Sequence, residues 1–94
     1  MAYTYILKCS DSSYYTGSTK DMEKRLWQHK NRQGANHTKV RLPVILVYVE
    51  QYDRVKEAFA REKQIQGWSR KKKEALISGN MDNLRSLRLS KANI

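Results

Sequence analysis

The stretch from Tyr3 to His29 limits the folds open to this chain more than any other. Tyr3-Thr4-Tyr5-Ile6-Leu7-Lys8-Cys9 is dense in β-branched and aromatic residues, which fit a pleated, half-buried surface. Ser10-Asp11-Ser12-Ser13 interrupts that run, and Tyr14-Tyr15-Thr16-Gly17 resumes its character. Two short strand-forming runs divided by turn formers read as a hairpin. Ser18-Thr19-Lys20-Asp21 then offers helix N-caps. Met22, Leu26 and His29 recur at helical spacing, with Arg25 four residues before His29 on a neighbouring face. A hairpin followed directly by this helix lets Tyr5, Tyr15, Arg25 and His29 converge.

The remainder of the chain supports that unit. The first helix ends between Asn31 and Gly34, where Gln33-Gly34 supplies a stop, and residues 35–43, with Lys39, Arg41 and the only proline, read as an exposed basic connection. His37 reads as a surface histidine there. Pro43-Val44-Ile45-Leu46-Val47-Tyr48-Val49-Glu50 is apolar at consecutive positions, which suits a central third strand covered on both faces. Asp53 can cap a second helix that carries Val55, Ala58, Phe59, Glu62, Ile65 and Gln66 on one face. Gly67 ends it, Ser69 caps a third, and Leu76-Ile77 close that one. The expected fold is α/β: a small three-stranded, mostly antiparallel sheet with helices on both faces, in the order β-β-α-β-α-α. Residues 1–80 form the domain, and 81–94 a tail that is a short helix or disordered.

Ninety-four residues make one domain with a modest core. Nineteen Lys and Arg against nine Asp and Glu give a net charge of +10, a field that attracts polyanions. Nucleic acid is the leading partner, DNA first and RNA second. A basic amphipathic helix with a continuous bulky apolar face is missing, so a membrane surface fits less well. Cys9 is the only cysteine, which excludes an intrachain disulfide and suits a small buried strand residue. With neither a run of ~20 apolar residues nor a signal-peptide layout, the expectation is a cytoplasmic monomer.

Tyr5, then Tyr15-Thr16-Gly17, then Arg25, then His29 stand at spacings that resemble the signature of the GIY-YIG nuclease superfamily. Gly34-Ala35-Asn36-His37-Thr38-Lys39 followed by Pro43 is similar to a segment of its small stand-alone branch and of Slx-type structure-specific nucleases. Glu62, within Ala58-Phe59-Ala60-Arg61-Glu62, falls where that family carries a metal-binding glutamate. Tyr3 and Thr4 replace the Gly-Ile of the name motif, and Thr16 its second isoleucine. The resemblance covers residues 3–78 and lacks the appended DNA-binding or zinc-binding domains of larger relatives.

The resemblance implies phosphodiester hydrolysis assisted by Mg²⁺ or Mn²⁺. Tyr5, Tyr15, Arg25 and His29 would be catalytic, and Glu62 would hold the metal. Tyr5 is the implied general base, but a phenol titrating near ~10 needs help near neutrality, and His29 could be the base instead. A domain this small has little surface for reading a long duplex sequence, so the expected substrate is branched, nicked or single-stranded DNA, and the alternative is a non-catalytic nucleic-acid-binding module on the same fold. Gly17, Lys20, Thr38, Lys39 and Arg41 are candidate nucleic-acid contacts.

Two further features stand on the residues alone. Glu62 falls within an apolar stripe, where a carboxylate is costly unless it binds a cation or pairs with a partner such as Arg25. Arg70-Lys71-Lys72-Lys73 opens the third helix, against its dipole, and reads as a phosphate-docking site or as a solvated basic face. Trp68 beside it fits the core better than a stacked base.

Overall fold

The computed structural model describes residues 1–79, so the tail assigned to 81–94 lies outside it. Strands β1 (Ala2–Lys8) and β2 (Tyr14–Thr19) form the expected hairpin, with Tyr5 opposite Gly17 and Leu7 opposite Tyr15. β3 (Ile45–Tyr52) is antiparallel to β1 on its other side, with an irregularity between Ile6 and Leu7. The sheet order is β2-β1-β3, which corrects the expectation that the third strand is central. Ala2, Thr4, Tyr5, Ile6 and Leu7 are all buried, whereas Ile45 on β3 is 61% exposed. The aromatic and threonine content of β1 hid its central place, while an unbroken aliphatic run on β3 imitated one.

Alternation along the strands sends side chains to two separate cores. Tyr5, Leu7, Cys9 and Val44 pack with Tyr15, Met22, Leu26, Leu42, Leu46 and Val49 under helix α1 (Met22–Lys30). Ile6, Tyr48 and Ile65 pack with Tyr14, Val47, Trp68, Leu76 and Ile77 on the opposite face. That face is covered by α3 (Val55–Gln66) and by α4, helical over residues 70–79. A short helix, α2 (Asn36–Lys39), occupies the segment read as an exposed loop.

The helix ends follow local chemistry. The Asp21 carboxylate accepts from the Lys24 N–H at 3.0 Å and starts α1. That helix ends at Asn31, the near edge of the expected range, and Arg32 takes the left-handed conformation with φ 62°. Arg54 rather than Asp53 is the N-cap of α3, its N–H held by the Glu57 carboxylate at 3.3 Å. Gly67 ends α3 as expected, and the Ser69 hydroxyl accepts from the Lys72 N–H at 3.2 Å to start α4. Ser78 and Gly79 are still helical, beyond the expected close at Leu76-Ile77. Among the described residues no helix is long and apolar enough to cross a membrane.

Candidate active site

Tyr5, at the centre of β1, points into the α1 face and is fully buried. Its hydroxyl lies 2.8 Å from Nε2 of His29, itself fully buried, and 3.4 Å from Nε of Arg25. On the far side of the imidazole, Nδ1 lies 2.8 Å from the Thr38 hydroxyl, which donates to the Ala35 carbonyl at 3.0 Å. These contacts fix the proton positions. A carbonyl only accepts, so the single Thr38 proton goes to Ala35 and its oxygen must accept from Nδ1–H. Nε2 is then bare and takes the Tyr5 proton, giving a directed chain from Tyr5 through His29 and Thr38 to Ala35.

Glycines make this chain possible. A Cβ on Gly17 would stand 2.5 Å from the Tyr5 hydroxyl and 2.6 Å from Cζ, so Gly17 gives its space to the phenol. It was expected to contact nucleic acid; the group it makes room for is Tyr5. A Cβ on Gly34 would collide with the His29 ring, so this glycine seats the imidazole rather than stopping α1.

Burial pushes the Tyr5 phenol up to about 12, against the downward pull of its bond to Arg25. Burial, and then the Arg25 charge, lower His29 to about 4. The resting site therefore holds a protonated phenol beside a neutral imidazole. Tyr15, half-buried, completes the cluster with ring centroids 6.4 Å from Tyr5 and 5.2 Å from His29. Arg25, also half-buried, donates to the Gln28 side-chain oxygen at 3.1 Å. The four residues expected to converge do so.

Glu62 sits on the other face of the sheet. Its carboxylate accepts from the Ser18 hydroxyl at 2.5 Å and from Gln66 Nε2 at 2.8 Å, and Lys63 lies 3.7 Å away. Only 12% of the side chain is exposed, and its partners are these rather than Arg25. Its charge still reaches Tyr5, as the smallest of the effects that raise the phenol. Thr16 lies on the same face of β2 as Ser18, and its hydroxyl is buried with no partner. Glu62 and Ser18 supply oxygen donors of the kind that suits a hard cation. Among the described residues no group of three or more His, Cys, Asp or Glu side chains is placed to hold a metal ion.

The candidate nucleic-acid contacts divide. Lys20, Lys39 and Lys71 are exposed. Thr38 is fully buried and serves His29, which corrects its assignment to the substrate surface. Arg41 is tied to Asp11 at 2.9 Å and to the His37 carbonyl at 3.0 Å. Arg70 pairs with Glu74 at 3.0 Å and covers the Tyr14 ring at 4.6 Å, while Lys72 lies 4.3 Å from the Trp68 ring centroid. Two of the four cations that open α4 thus have structural partners, and Lys73 is half-buried. Trp68 packs against the second core, as expected.

A family described as the GIY-YIG catalytic domain matches residues 1–75, a span that contains both strands of the hairpin, the relay and Glu62. The chain belongs to the GIY-YIG family. A UPF0213 protein of Staphylococcus saprophyticus is 55% identical over 76 residues, covering 81% of this chain and 93% of that protein. UPF0213 proteins of Staphylococcus aureus are 51% identical over 75 residues, covering 80% and 92%. The solution NMR structure of a UPF0213 protein from Bacillus halodurans is 40% identical, with a TM-score of 0.55 and 83% and 84% of the two chains covered. A second NMR structure, from E. faecalis, is 34% identical with a TM-score of 0.56 over 82% of each chain. The family is a nuclease domain family, so its substrates are nucleic acids.

Sequence reasoning missed three partners. Thr38 stands nine residues after His29 on a four-residue helix, too short to leave a periodic signal. Ser18 was read only as a helix cap, although strand alternation places it on the Glu62 face. His37 was read as a surface residue, yet it stacks on Tyr15 at 6.1 Å.

Proposed function

We propose that this protein is a Mg²⁺-dependent endonuclease that hydrolyses phosphodiester bonds in branched, nicked or single-stranded DNA. The observation that carries this reading is the convergence of a phenol, an imidazole and a guanidinium on one oxygen, Tyr5 Oη. Arg25 clamps the phosphate with its planar fork, and its contacts strengthen as negative charge develops in the transition state. Its bond to Tyr5 is long, at 3.4 Å, and is readily exchanged for a phosphate oxygen. Because Tyr5 is fully buried, that exchange is what opens the phenol to water.

Tyr5 then takes the proton of the attacking water as its own proton passes to His29 Nε2. Both imidazole nitrogens are engaged, so His29 acts behind Tyr5 rather than on the water itself. In the free protein both shifts oppose this transfer. A bound phosphate raises the imidazole, and a nearby cation lowers the phenol. Tyr15 positions the phosphate or the water. Glu62, with the Ser18 hydroxyl bonded to it, would hold the Mg²⁺, which supplies charge neutralisation at the phosphate or leaving oxygen.

The test is incubation of purified protein with branched, flapped, duplex and single-stranded DNA, and the RNA equivalents, in Mg²⁺, Mn²⁺ or chelator. Metal-dependent cleavage of at least one DNA is expected. Binding without cleavage on every substrate would replace the proposal with a nucleic-acid-binding module. For the metal, Glu62→Gln should abolish cleavage while melting close to wild type, and Mg²⁺ should raise the wild-type melting temperature alone. A mutant that cleaves normally would remove Glu62 from the metal.

A further inference from the structure

A second histidine joins the cluster through Tyr15. Tyr15 contacts two imidazoles, His29 at 5.2 Å and His37 at 6.1 Å, the latter within 24° of parallel. His37 Nε2 is 2.9 Å from the Ser13 hydroxyl, which lies 2.6 Å from Oδ1 of Asp11. The other Asp11 oxygen accepts from Arg41 Nε at 2.9 Å, and Arg41 Nη1 returns to the His37 carbonyl at 3.0 Å. The ring of contacts Asp11, Ser13, His37, Arg41 thereby closes on itself, and it joins the β1–β2 turn to α2.

Its proton positions follow as they do for His29. A carboxylate only accepts, and the bonds from Ser13 hold Asp11 down at about 2, so it stays an anion. The Ser13 proton therefore goes to Asp11, and its oxygen accepts from His37 Nε2–H. Nδ1 is then the nitrogen left to meet a ligand. Among the described residues Nδ1 has no partner, and it is open to solvent, since the buried polar atom left unpaired is the Thr16 hydroxyl. This is the reverse of the relay, where both nitrogens of His29 are bonded and the ring is sealed.

We propose that His37, oriented by Ser13 and Asp11, is a phosphate-binding residue for the nucleotide flanking the one that Arg25 and Tyr5 engage. The inference rests on the nucleic-acid reading of the site. An imidazolium here presents a charged Nδ1–H to a phosphate oxygen, while Asp11, through Ser13, stabilises the charge from behind. The consequence is binding that tightens as His37 gains its proton. The charged and titratable groups that face it are Asp11 from the turn, Arg41 from beyond α2, Tyr15 from β2 and, through that ring, His29. Lys39 shares its helix. In the free protein burial and the Arg25 charge hold His29 down at about 4, so the comparison of wild type with His37→Gln is what separates the two histidines.

The experiment is fluorescence anisotropy of a labelled single-stranded oligonucleotide with the full chain, in chelator so that cleavage cannot contribute. Titrations at pH 5.5 and 8 are run for wild type, His37→Gln and Asp11→Asn, each checked by a thermal melt. Glutamine keeps a donor to Ser13 without the charge. Wild type should bind about fivefold tighter at pH 5.5 than at pH 8, with a salt slope steeper by about one ion. His37→Gln should bind equally at both pH values and match wild type at pH 8, and Asp11→Asn should lose part of the pH effect. Wild type and His37→Gln following the same pH curve, with binding intact, would overturn the assignment of His37 alone. Wild type binding no nucleic acid at either pH would overturn it together with the function proposed above.

Discussion

The two faces of the sheet each carry a polar cluster built on tyrosine, and they obey opposite rules. On the α1 face Tyr5, His29 and Thr38 form a chain without a formal charge, in which one proton can move between a phenol and a bare nitrogen. On the α3 face Glu50 accepts two bonds from Arg61, both at 3.0 Å, one from Tyr52 at 2.5 Å and one from Tyr48. Burial pushes the Glu50 carboxyl up, but the bonds from Arg61 and then from the tyrosines outweigh it and leave it below its ordinary value. Tyr52 is driven up to about 12 by burial and by that carboxylate. Every group there has a permanent partner of fixed charge, so nothing is left to exchange. Residue type does not separate a reactive cluster from a structural one; the presence of a mobile proton does.

The largest effect that divides the faces is on turnover. Arg25→Ala should lower cleavage by roughly 10²–10³-fold, the range for losing one donor to developing charge. Its melting temperature should stay near wild type, because the side chain is half-exposed. A mutant that melts far lower would make Arg25 a structural residue like Arg61.

Acid should next strike the α1 face. His29 is lowered to about 4, so between its ordinary value and 4 the unfolded chain binds a proton that the folded chain does not. Stability is fully present above about pH 6.5 and is lost as pH falls toward 4, by roughly 2–3 kcal/mol. Denaturant unfolding at pH 7 and 4.5 measures this, and His29→Asn should flatten the difference. An unchanged slope in the mutant would place the acid sensitivity elsewhere.

Glu50→Gln should do the reverse of Arg25→Ala. It strands Arg61, and because both side chains are about one-fifth exposed, the expected loss is about 2 kcal/mol, below the figure for a fully buried pair. Cleavage per folded molecule should be unchanged, and a fall of tenfold or more would give the α3 cluster a part in the chemistry. The smallest effect is on salt dependence. Replacing Lys71, which has no structural partner among the described residues, by Gln should reduce the slope of DNA affinity against salt by about one ion. Arg70→Gln should cost stability as well, through Glu74 and Tyr14.

The α1 face was the more legible from sequence. Its reactive groups lie on a hairpin and a helix whose periods are short and regular, so spacing alone aligned Tyr5, Tyr15, Arg25 and His29. The partners that tune them were hidden, because Thr38 and His37 come from a helix of four residues and Ser13 from a turn. The α3 face was less legible. The Glu50 cluster depends on how β3 pairs and where α3 crosses, and the aliphatic run of β3 suggested a central strand where the chain has an edge. Glu62 was singled out as a carboxylate in an apolar stripe, but of that stripe only Ala58 and Ile65 are buried while Val55 and Phe59 are exposed, and the hold of Glu62 on Ser18 needed the strand register.

The central claim is that Tyr5 is the group through which this site does its chemistry. Wild type and Tyr5→Phe, prepared in parallel, should be compared for nicking of supercoiled DNA in Mg²⁺ and for binding of the same DNA in chelator. Removing one hydroxyl should leave binding within about twofold and cost roughly 1 kcal/mol of stability through the lost bond to His29. Nicking should fall by roughly 10²–10⁴-fold, the range for losing a general base. Equal nicking by the two proteins would contradict the account, because a phenol that can be deleted without loss carries no proton for the reaction.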